Sequence, residues 1–288
     1  LPASAPNPCG TMDVPFTKMQ GIGNDFVVVD ARAGLVADWP EFARRVCARR
    51  FGIGADGLLV VGEASHADAE MMMFNPDGTP DFCGNGLRCV ARFVADVRGL
   101  REGQLMLATL AGVRNAEVSH GAAGFAATVD MGMPEFDPAR IPMTVHVSEV
   151  LDYPLELSDR VLPVTVLSTG TPHTVVFVDA LPGDPDFARL SAEVETHPLF
   201  PERTSLMWVQ QAGPDTLRLR IWERGAGETH GCGTGACAAA VAARRKGIVG
   251  PTVRVRSAGG ELLIAWEPGS TIMMTGPAEY VYHGVITL

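Results

Sequence analysis

The fold is decided by two related stretches, Cys83-Gly-Asn-Gly-Leu-Arg-Cys-Val-Ala-Arg-Phe-Val94 and Cys232-Gly-Thr-Gly-Ala-Cys-Ala-Ala-Ala-Val-Ala-Ala243. Each begins Cys-Gly-x-Gly and continues in a helix-forming pattern. The first predicts a helix with one apolar face, because apolar residues recur at helical spacing at Leu87, Val90, Ala91 and Val94. The second is apolar on every side, which is typical of a helix enclosed by other structure. Because Arg244-Arg245-Lys246 and Gly247 suit a helix C-terminus, we expect the second helix to end there.

Short strands surround both helical stretches. They are rich in β-branched and aliphatic residues and are bounded by glycine, proline, aspartate or asparagine. The predicted strands are Phe26–Asp30, Leu58–Val61, Gln104–Leu110, Ala126–Met131, Thr174–Asp179, Thr216–Trp222, Thr252–Arg256 and Glu261–Trp266. In Thr216–Trp222 apolar and polar residues alternate, which predicts one buried face. Since the two helical stretches lie about half a chain apart, we predict an α+β fold of two similar halves. Each half would wrap its strands on a central helix whose N-terminus carries a cysteine.

The composition excludes several classes of protein. Aspartate and glutamate number 33 against 23 lysine and arginine, and the net charge of -10 argues against a nucleic-acid partner or binding to an anionic membrane. Only Lys18 and Lys246 are lysines, so a pyridoxal enzyme or a Schiff-base aldolase would have to use one of these two amines. There is no Cys-x-x-Cys pair and the seven histidines are scattered. We therefore expect no metal site and no cofactor.

The sequence also indicates a location in the cell. Residues 1–12 contain three prolines, no positive charge and no apolar run, so they lack the pattern of a signal peptide. We expect them to form a mobile tail upstream of a natural start at Met12. The longest helix-like apolar stretch, Ala236–Ala243, is too short to cross a bilayer. The six cysteines are then expected to be thiols of a cytoplasmic protein, not a disulfide framework.

Cys83 and Cys232 differ in context from the other cysteines. A thiol beside the N–H groups of a helix N-terminus has its thiolate stabilised, and such sites lower the pKa of cysteine from about 8.5 to roughly 3.5–7.5. The same N–H groups form a cradle for a substrate carboxylate. The ordinary role of a small buried apolar side chain is expected for Cys9, Cys47, Cys89 and Cys237.

Two thiols on opposite sides of one carbon predict a specific reaction. One thiolate removes the proton α to a carboxylate, and the other thiol delivers a proton to the opposite face. The configuration inverts without a cofactor, while the two helix N-termini stabilise the negative charge that develops on the carboxylate. The scarcity of lysine agrees with stereoinversion that uses no pyridoxal.

The loops before each cysteine supply candidate substrate-binding residues. Asn75 lies in Phe74–Gly78, and Glu223 and Arg224 begin the loop 223–229. Taken alone, the first would be an ordinary turn and the second a solvated charged loop. Because both precede a cysteine at a helix start, we favour a role in substrate binding. Thr169–His173 also precedes a strand, and could be a plain turn with a structural histidine.

Four blocks of the sequence resemble the signature blocks of the diaminopimelate epimerase family. They are PFTKMQGIGNDFVVVD (15–30), RRFGIGADGLLVV (49–61), FNPDGTPDFCGNGLRCVARF (74–93) and ERGAGETHGCGTGACAAAVA (223–242). The family comprises pyridoxal-independent, two-cysteine racemases and epimerases. The resemblance implies two pseudo-symmetric domains, each a β-barrel-like sheet around a central helix, with the active site in the interdomain cleft. Residues 13–135 plus 277–288 would form the domain of Cys83, and residues 136–276 the domain of Cys232.

The resemblance also implies roles for individual residues. Cys83 and Cys232 would be the catalytic acid and base. The reacting α-carboxylate would bind at Gly84, Asn85, Gly233 and Thr234. Further substrate contacts would come from Asn24, Asn75, Glu223 and Arg224, with His173 and Glu223 as polar neighbours of the thiols.

The substrate expectation rests on three departures from the family pattern. Thr171 and Ser205 stand where the family usually has asparagines that hold the distal, non-reacting end of diaminopimelate, and Gln20 replaces a common histidine. A site built to pair polar groups rejects a ligand that lacks them. We therefore expect a racemase of a polar amino acid other than diaminopimelate. Known branches of the family include histidine racemases and O-ureidoserine racemases. The arginine-rich, alanine-rich and lysine-poor composition favours O-ureidoserine, which would place the enzyme in antibiotic biosynthesis.

Other functions remain open at this point. In the first alternative, the chain is a diaminopimelate epimerase of lysine biosynthesis that makes the distal contacts through the Thr171 and Ser205 hydroxyls. In the second, Cys83 and Cys232 form a thiol redox switch. A non-catalytic binding module is a weaker alternative, because it would have no need of both thiols. The expected partner is a small-molecule amino acid, and a homodimer is compatible with the sequence.

Overall fold

The computed structural model describes residues 13–33, 38–122 and 124–287. The expected tail 1–12, with Cys9 and the proposed start at Met12, lies outside the described residues. The described chain divides into two compact units. Unit 1 runs to Val129 and resumes at Gly276, and unit 2 is Asp130–Thr275.

Eighteen strands and four α-helices form within the described residues. In unit 1 the first strands are β1 (Asp13–Gly21), β2 (Asn24–Asp30), β3 (Gly57–Gly62), β4 (Ala69–Phe74), β5 (Pro80–Asp81), β6 (Glu102–Thr109), β7 (Gly112–Gly121) and β8 (Gly124–Asp130). The strands β9 (Val150–Glu156), β10 (Val161–Ser168), β11 (Pro172–Phe177), β12 (Ser205–Gly213), β13 (Thr216–Glu223), β14 (Gly227–Thr229), β15 (Thr252–Ser257), β16 (Gly260–Ala265) and β17 (Met273–Gly276) follow, and β18 (Glu279–Thr287) is the last. The helices are α1 (Trp39–Cys47), α2 (Gly84–Arg98), α3 (Asp184–Glu195) and α4 (Gly233–Arg245), and a short 3-10 helix covers Ala31–Ala33.

The strand order of unit 1 is β18-β1-β2-β3-β4-β6-β7-β8, with β5 paired to β4. The pairs β2–β3 and β4–β6 are parallel and the others antiparallel. A helix supplies the crossover in both parallel pairs, α1 in the first and α2 in the second. The C-terminal strand β18 thus pairs with β1, the first strand of the described chain.

Unit 2 repeats this order strand for strand as β9-β10-β11-β12-β13-β15-β16-β17, with β14 paired to β13. Its parallel pairs are β11–β12 and β13–β15, crossed by α3 and α4. The sheet of each unit wraps on one helix, since α2 contacts β1, β2, β3, β4, β6 and β7 while α4 contacts β10, β11, β12, β13, β15 and β16. The prediction of two similar halves, each wrapped on a central helix, is confirmed.

The two central helices have the predicted apolar surfaces. Leu87, Val90, Ala91 and Val94 of α2 are buried, and so is every residue of α4 from Ala236 to Ala243. The α4 helix ends at Arg245, and Gly247 follows at φ 71°, the left-handed position that closes helices. The second glycine of each Cys-Gly-x-Gly lets the first helical turn approach the sheet. A Cβ at Gly86 would lie 2.9 Å from Leu59 Cδ2, and one at Gly235 would lie 2.5 Å from Met207 Sδ.

All eight predicted strands overlap observed ones, with ends displaced by up to two residues. The strand expected over Thr174–Asp179, for example, is β11 at Pro172–Phe177. In β13 the alternation is confirmed, because Leu217, Leu219 and Ile221 are buried. Within the described ranges, no helix is long and apolar enough to cross a membrane.

Candidate active site

Cys83 is the N-cap of α2, with extended backbone angles of φ −137° and ψ 122°. Its side chain is half-buried, and Sγ donates to Oδ1 of Asn24 at 3.5 Å. Asn24 begins β2, which lies next to β1 in the sheet around α2. The fold therefore brings two of the predicted site residues into contact although 59 positions separate them in the chain.

Asn85 joins the same cluster from the first turn of α2. Its Nδ2 donates to Asn24 Oδ1 at 3.2 Å, and its Oδ1 accepts from Nη2 of Arg88 at 2.8 Å. Asn24 Nδ2 in turn donates to Oδ2 of Asp56 at 2.8 Å. Both amides are thus hydrogen-bonded at both ends. Asp56 and Arg88 were not among the sequence-predicted site residues.

Asn75 lies in a turn directly after β4. Its Nδ2 donates to Thr79 Oγ1 and to Asp81 Oδ2, each at 3.2 Å, and its backbone carbonyl accepts from the N–H of Gly78 at 2.9 Å. The segment Phe74–Gly78 therefore forms the turn that its sequence predicts. The contact with Asp81 also ties Asn75 to β5, the strand that leads into Cys83.

Cys232 is the N-cap of α4, with φ −126° and ψ 113°. Its Sγ accepts from the backbone N–H of Gly235 at 3.4 Å and lies 3.4 Å from Thr234 Oγ1. The carbonyl of Thr234 accepts from Oγ1 of Thr169 at 2.9 Å, which ties the first turn of α4 to the end of β10. The two cysteines thus occupy equivalent positions in the two repeated units.

The structure corrects the expectation of a lowered pKa for Cys232. The thiol is 6% exposed, and burial raises its pKa well above the usual value, with the Glu223 carboxylate adding to the rise. Hydrogen bonds from Thr234 and from the N–H of Gly235 act in the opposite direction but do not offset the burial. Cys232 is therefore a thiol at neutral pH in this structure.

His173 is buried beside this cysteine's helix, on β11, with 1% of its surface exposed. Its Nε2 lies 3.2 Å from Oγ1 of Thr171. Its Nδ1 is buried and has no hydrogen-bond partner among the described residues. Burial, with the positive charge of Arg224, lowers the pKa of His173 to about 3, so the imidazole is neutral at physiological pH.

Ser205 and the loop after β13 form a second contact region in unit 2. Ser205 Oγ accepts from the backbone N–H of Arg224 at 3.1 Å, and Arg224 Nη1 donates to the carbonyl of Glu202 at 2.9 Å. Thr229 Oγ1 donates to Oε1 of Glu223 at 2.5 Å. These bonds hold Glu223 and Arg224 at the start of the loop, on the side of the unit where α4 begins.

A third residue that sequence reasoning missed is Glu195, at the end of α3. It is 6% exposed and accepts from Nε1 of Trp222 at 2.6 Å and from the N–H of Gly225 at 2.9 Å. Arg203 donates to the same carboxylate at 3.4 Å. Nothing in the local sequence marks Glu195, because its partners lie 8 to 30 positions further along the chain.

The remaining described cysteines are buried thiols, as expected. Cys47, Cys89 and Cys237 are at most 2% exposed. Burial raises the pKa of Cys47 and of Cys89 to about 12, which makes both poor nucleophiles. Among the described residues there is no group of three or more histidine, cysteine, aspartate or glutamate side chains that could hold a metal ion.

A family model described as diaminopimelate epimerase matches residues 16–136 and 165–281. The diaminopimelate epimerase of Moorella thermoacetica is 47% identical over 274 residues, which cover 93% of this chain and 98% of the relative. The chain belongs to the diaminopimelate epimerase family. The enzyme named diaminopimelate epimerase in Pelotomaculum thermopropionicum is 42% identical, over 93% of this chain and 97% of that one. As a member of this family, the chain is a pyridoxal-independent isomerase.

Solved structures of low sequence identity share the fold. A hydroxyproline epimerase from Agrobacterium vitis superposes with a TM-score of 0.71 at 16% identity, covering 96% of this chain and 93% of that one. A phenazine biosynthesis protein of the PhzF family from Bacillus anthracis gives a TM-score of 0.66 at 18% identity, covering 95% and 99%. These likenesses establish the two-domain α+β fold that the sequence predicted.

The comparisons bear differently on the two expected substrates. The relatives are named diaminopimelate epimerase, and they match along nearly their whole length. They support a racemase or epimerase, and among the substrates they favour the alternative, diaminopimelate. The expected O-ureidoserine substrate, with its role in antibiotic biosynthesis, finds no support in them.

Proposed function

We propose that this chain is a diaminopimelate epimerase in which Cys83 and Cys232 exchange the α-proton of the substrate. The observation that carries the proposal is the repeat of the fold, which makes a cysteine the N-cap of the equivalent helix in each unit. A repeat could keep its packing with any small residue at that position. Two thiols at equivalent positions supply the acid and the base that inversion at one carbon requires.

The reacting carboxylate is proposed to bind at the two helix N-termini. The first N–H groups of an α-helix have no partner within the helix, and they carry partial positive charge. Gly84 and Asn85 begin α2, while Gly233 and Thr234 begin α4. Bound there, the carboxylate would be stabilised as its α-carbon loses a proton and negative charge spreads onto it.

The reaction balances as two proton transfers. The thiolate of one cysteine takes the α-hydrogen as a proton, and the electron pair of the C–H bond passes into the carbanion, which the carboxylate stabilises. The thiol of the other cysteine gives its proton to the opposite face of the same carbon. The first cysteine ends as a thiol and the second as a thiolate, so the next turnover can run in reverse.

The polar neighbours suit this exchange in unit 2. Burial and the Glu223 carboxylate keep Cys232 protonated, so it is ready to act as the acid. His173, with its pKa lowered to about 3, is neutral and does not compete as a general acid at physiological pH. In this proposal Asn24, Asn75 and Arg224 hold the rest of the substrate.

Diaminopimelate is the favoured substrate because of the named relatives. A second candidate, O-ureidoserine or another mono-amino acid, is favoured by one observation. The Thr171 hydroxyl lies against His173 and the Ser205 hydroxyl accepts from Arg224, so both hydroxyls already have partners within the protein. A site whose distal hydroxyls are engaged in this way has fewer groups left for a second amino-acid end.

Hydrogen exchange at the α-carbon tests the function and separates the substrates. The reduced protein is incubated in deuterated water with L,L-diaminopimelate, meso-diaminopimelate and O-ureidoserine, and solvent deuterium at the α-carbon is measured. We expect exchange and inversion of diaminopimelate. Exchange confined to O-ureidoserine would show that O-ureidoserine, not diaminopimelate, is the substrate. If none of these amino acids exchanges its α-proton, the thiol redox switch becomes the favoured function.

Single cysteine variants test the mechanism. Cys83→Ser and Cys232→Ser should each abolish inversion, because each removes one of the two groups that handle the proton. Cys237→Ser, in the same helix as Cys232 but buried, is the matched control and should retain activity. An active Cys83→Ser or Cys232→Ser enzyme would contradict the two-thiol mechanism.

A further inference from the structure

The carbonyl oxygen that faces Cys83 is held from two directions. Asn24 Oδ1 accepts from Cys83 Sγ at 3.5 Å and from Asn85 Nδ2 at 3.2 Å. The other end of the same amide, Asn24 Nδ2, donates to Asp56 Oδ2 at 2.8 Å. Asn85 Oδ1 accepts from Arg88 Nη2 at 2.8 Å. The two asparagine amides therefore form a chain, here called the amide relay, that runs from Arg88 through Asn85 and Asn24 to Asp56.

The end groups of the amide relay determine its direction. A carboxylate only accepts hydrogen bonds and a guanidinium only donates them. Asp56 therefore requires the NH2 of Asn24, and Arg88 requires the carbonyl of Asn85. If the Asn24 amide turned over, its carbonyl would face a carboxylate and its NH2 would face the NH2 of Asn85. Both ends act to keep the Asn24 carbonyl toward the thiol.

Both end residues are themselves fixed in place. Asp56 Oδ1 accepts from Arg49 at 2.6 Å, and its Oδ2 also accepts from the backbone N–H of Asp25 at 3.1 Å. Arg88 is fully buried, and its Nε donates to the carbonyl of Pro277 at 3.1 Å. A Cβ at Gly21 would lie only 3.0 Å from Arg88 Nη2, so glycine at this position leaves room for the guanidinium.

We propose that Arg88 and Asp56 are positioning residues that favour the thiol form of Cys83 over its thiolate while no substrate is bound, by holding the Asn24 carbonyl against it. The inference rests on the proposed catalytic role of Cys83. A carbonyl oxygen accepts from a thiol and repels a thiolate, so it favours the protonated form. Because alkylating agents and oxidants attack the thiolate, the amide relay would also protect the resting enzyme.

A double-mutant cycle tests the proposal without any substrate. The four proteins are the wild type, Asp56→Asn, Arg88→Met and the double variant. Alkylation of Cys83 by iodoacetamide is followed against pH, with the modified peptide identified by mass spectrometry. In each single variant one end still fixes the amides, so the midpoint should move only through the altered charge: down in Asp56→Asn, up in Arg88→Met.

The double variant separates the amide relay from simple electrostatics. It loses one negative and one positive charge, so the two charge effects oppose each other. With both ends released, the Asn24 amide is free to turn its NH2 toward the sulfur, which stabilises the thiolate. We expect the midpoint to fall by about one pH unit below the sum of the single effects, an alkylation rate about tenfold higher at neutral pH. A midpoint equal to that sum would overturn the proposal.

The surrounding charges and the fold need their own controls. The charged and titratable groups on the segments around Cys83 and the amide relay, apart from the two end residues, are unchanged across the cycle: Lys18, Asp25, Arg49, Asp81, Cys89 and Arg114. Arg92→Met is the matched control, because Arg92 lies one turn further along α2 and donates to the Ala278 carbonyl outside the amide relay. Because Arg92→Met removes a positive charge but leaves both ends of the amide relay in place, it should raise the Cys83 midpoint by no more than Arg88→Met does. Arg88→Lys, which keeps both the charge and a donor, should leave the midpoint at the wild-type value.

A charge-neutral variant covers the case in which the double variant does not fold. Asn24→Ala removes the carbonyl itself, and we expect a lower Cys83 midpoint; an unchanged or higher midpoint would overturn the proposal. The outcomes also separate the two proposals of function. Alkylation of Cys83 needs no substrate. If the double variant shifts the Cys83 midpoint as expected but the wild type shows no α-proton exchange, only the proposed epimerase function is contradicted. If the wild type exchanges the α-proton but the midpoint of the double variant equals the sum of the single effects, only the positioning roles of Arg88 and Asp56 are contradicted.

Discussion

Oγ of Ser205 accepts a hydrogen bond from the backbone N–H of Arg224 at 3.1 Å. Ser205 begins β12 and Arg224 directly follows β13, its antiparallel neighbour. The family usually has an asparagine where this chain has Ser205. The bond shows what the smaller side chain does here, which is to hold the start of the loop that carries Arg224.

Ser205→Ala should therefore loosen the Arg224 loop. The part-buried N–H of Arg224 would lose its acceptor, at a cost of about 0.5–1.5 kcal/mol in the free energy of unfolding. With Arg224 less well placed, the KM for diaminopimelate should rise roughly fivefold with a smaller change in kcat. Denaturant unfolding and steady-state kinetics measure the two effects. Ser158→Ala, on an exposed side chain of the same unit, is the control, and an equal KM change there would contradict the assignment.

Glu195 should hold the same loop from the other side. Its carboxylate accepts from Trp222 Nε1 and from the N–H of Gly225. Glu195→Gln replaces one acceptor oxygen with a donor, so one of these two bonds is lost. We expect the free energy of unfolding to fall by about 1.5–3 kcal/mol and the KM to rise.

An exposed acid on the same helix provides the comparison for Glu195. Asp186 of α3 has a side chain that is 58% exposed and pairs with Arg189. Asp186→Asn should change the free energy of unfolding by less than about 1 kcal/mol and leave the KM unchanged. Equal effects of the two substitutions would show that the burial of Glu195 has no bearing on the loop.

The stability of the protein should depend on pH through His173. Its pKa is lowered to about 3 in the folded chain, while an unfolded histidine titrates near its model value of 6.5. Between these values the unfolded chain binds a proton that the folded chain does not, so stability falls as the pH falls. The contribution is fully present above pH 6.5 and is lost down to about pH 3.

His173→Gln measures this contribution. The variant cannot titrate at this position, so its free energy of unfolding should depend less steeply on pH than that of the wild type. The difference in slope should be about 1.4 kcal/mol per pH unit between pH 6 and 4. Urea unfolding at several pH values gives both slopes. Parallel slopes would show that His173 takes up a proton in the folded state.

Glu223 should control the reactivity of Cys232. Its carboxylate raises the pKa of the thiol, so Glu223→Gln should lower that pKa and increase the thiolate fraction at a given pH. We expect alkylation of Cys232 at pH 8 to become several-fold faster, as measured by peptide mass spectrometry. Glu228→Gln, in the same loop but paired with Arg220, should have little effect. A slower reaction in Glu223→Gln would contradict the sign of this interaction.

The features that could be predicted from the sequence are those set by neighbouring residues. Three such features are the apolar period of residues 87–94, the alanines of 236–243 and the cysteine at each helix start. They depend on contacts within one or two helical turns, so they can be recognised directly in the sequence. The likeness of the two Cys-Gly-x-Gly stretches correctly predicted two similar units. No sequence pattern marks Glu195 or Asp56, so neither was among the predicted site residues.

Only the tertiary structure decided how the candidate site residues are held. Asp56 contacts Asn24 and Glu195 contacts Gly225 because the packing of sheet and helix brings distant segments together. The spacing of these residues in the sequence does not predict either contact. The pKa of Cys232 likewise depends on one local effect and one effect of tertiary packing. The helix N-terminus is a local feature that lowers this pKa, but burial, which the whole unit creates, raises it by more. The sequence determined which groups are present and where the helices begin, and the packing determined which of their interactions dominate.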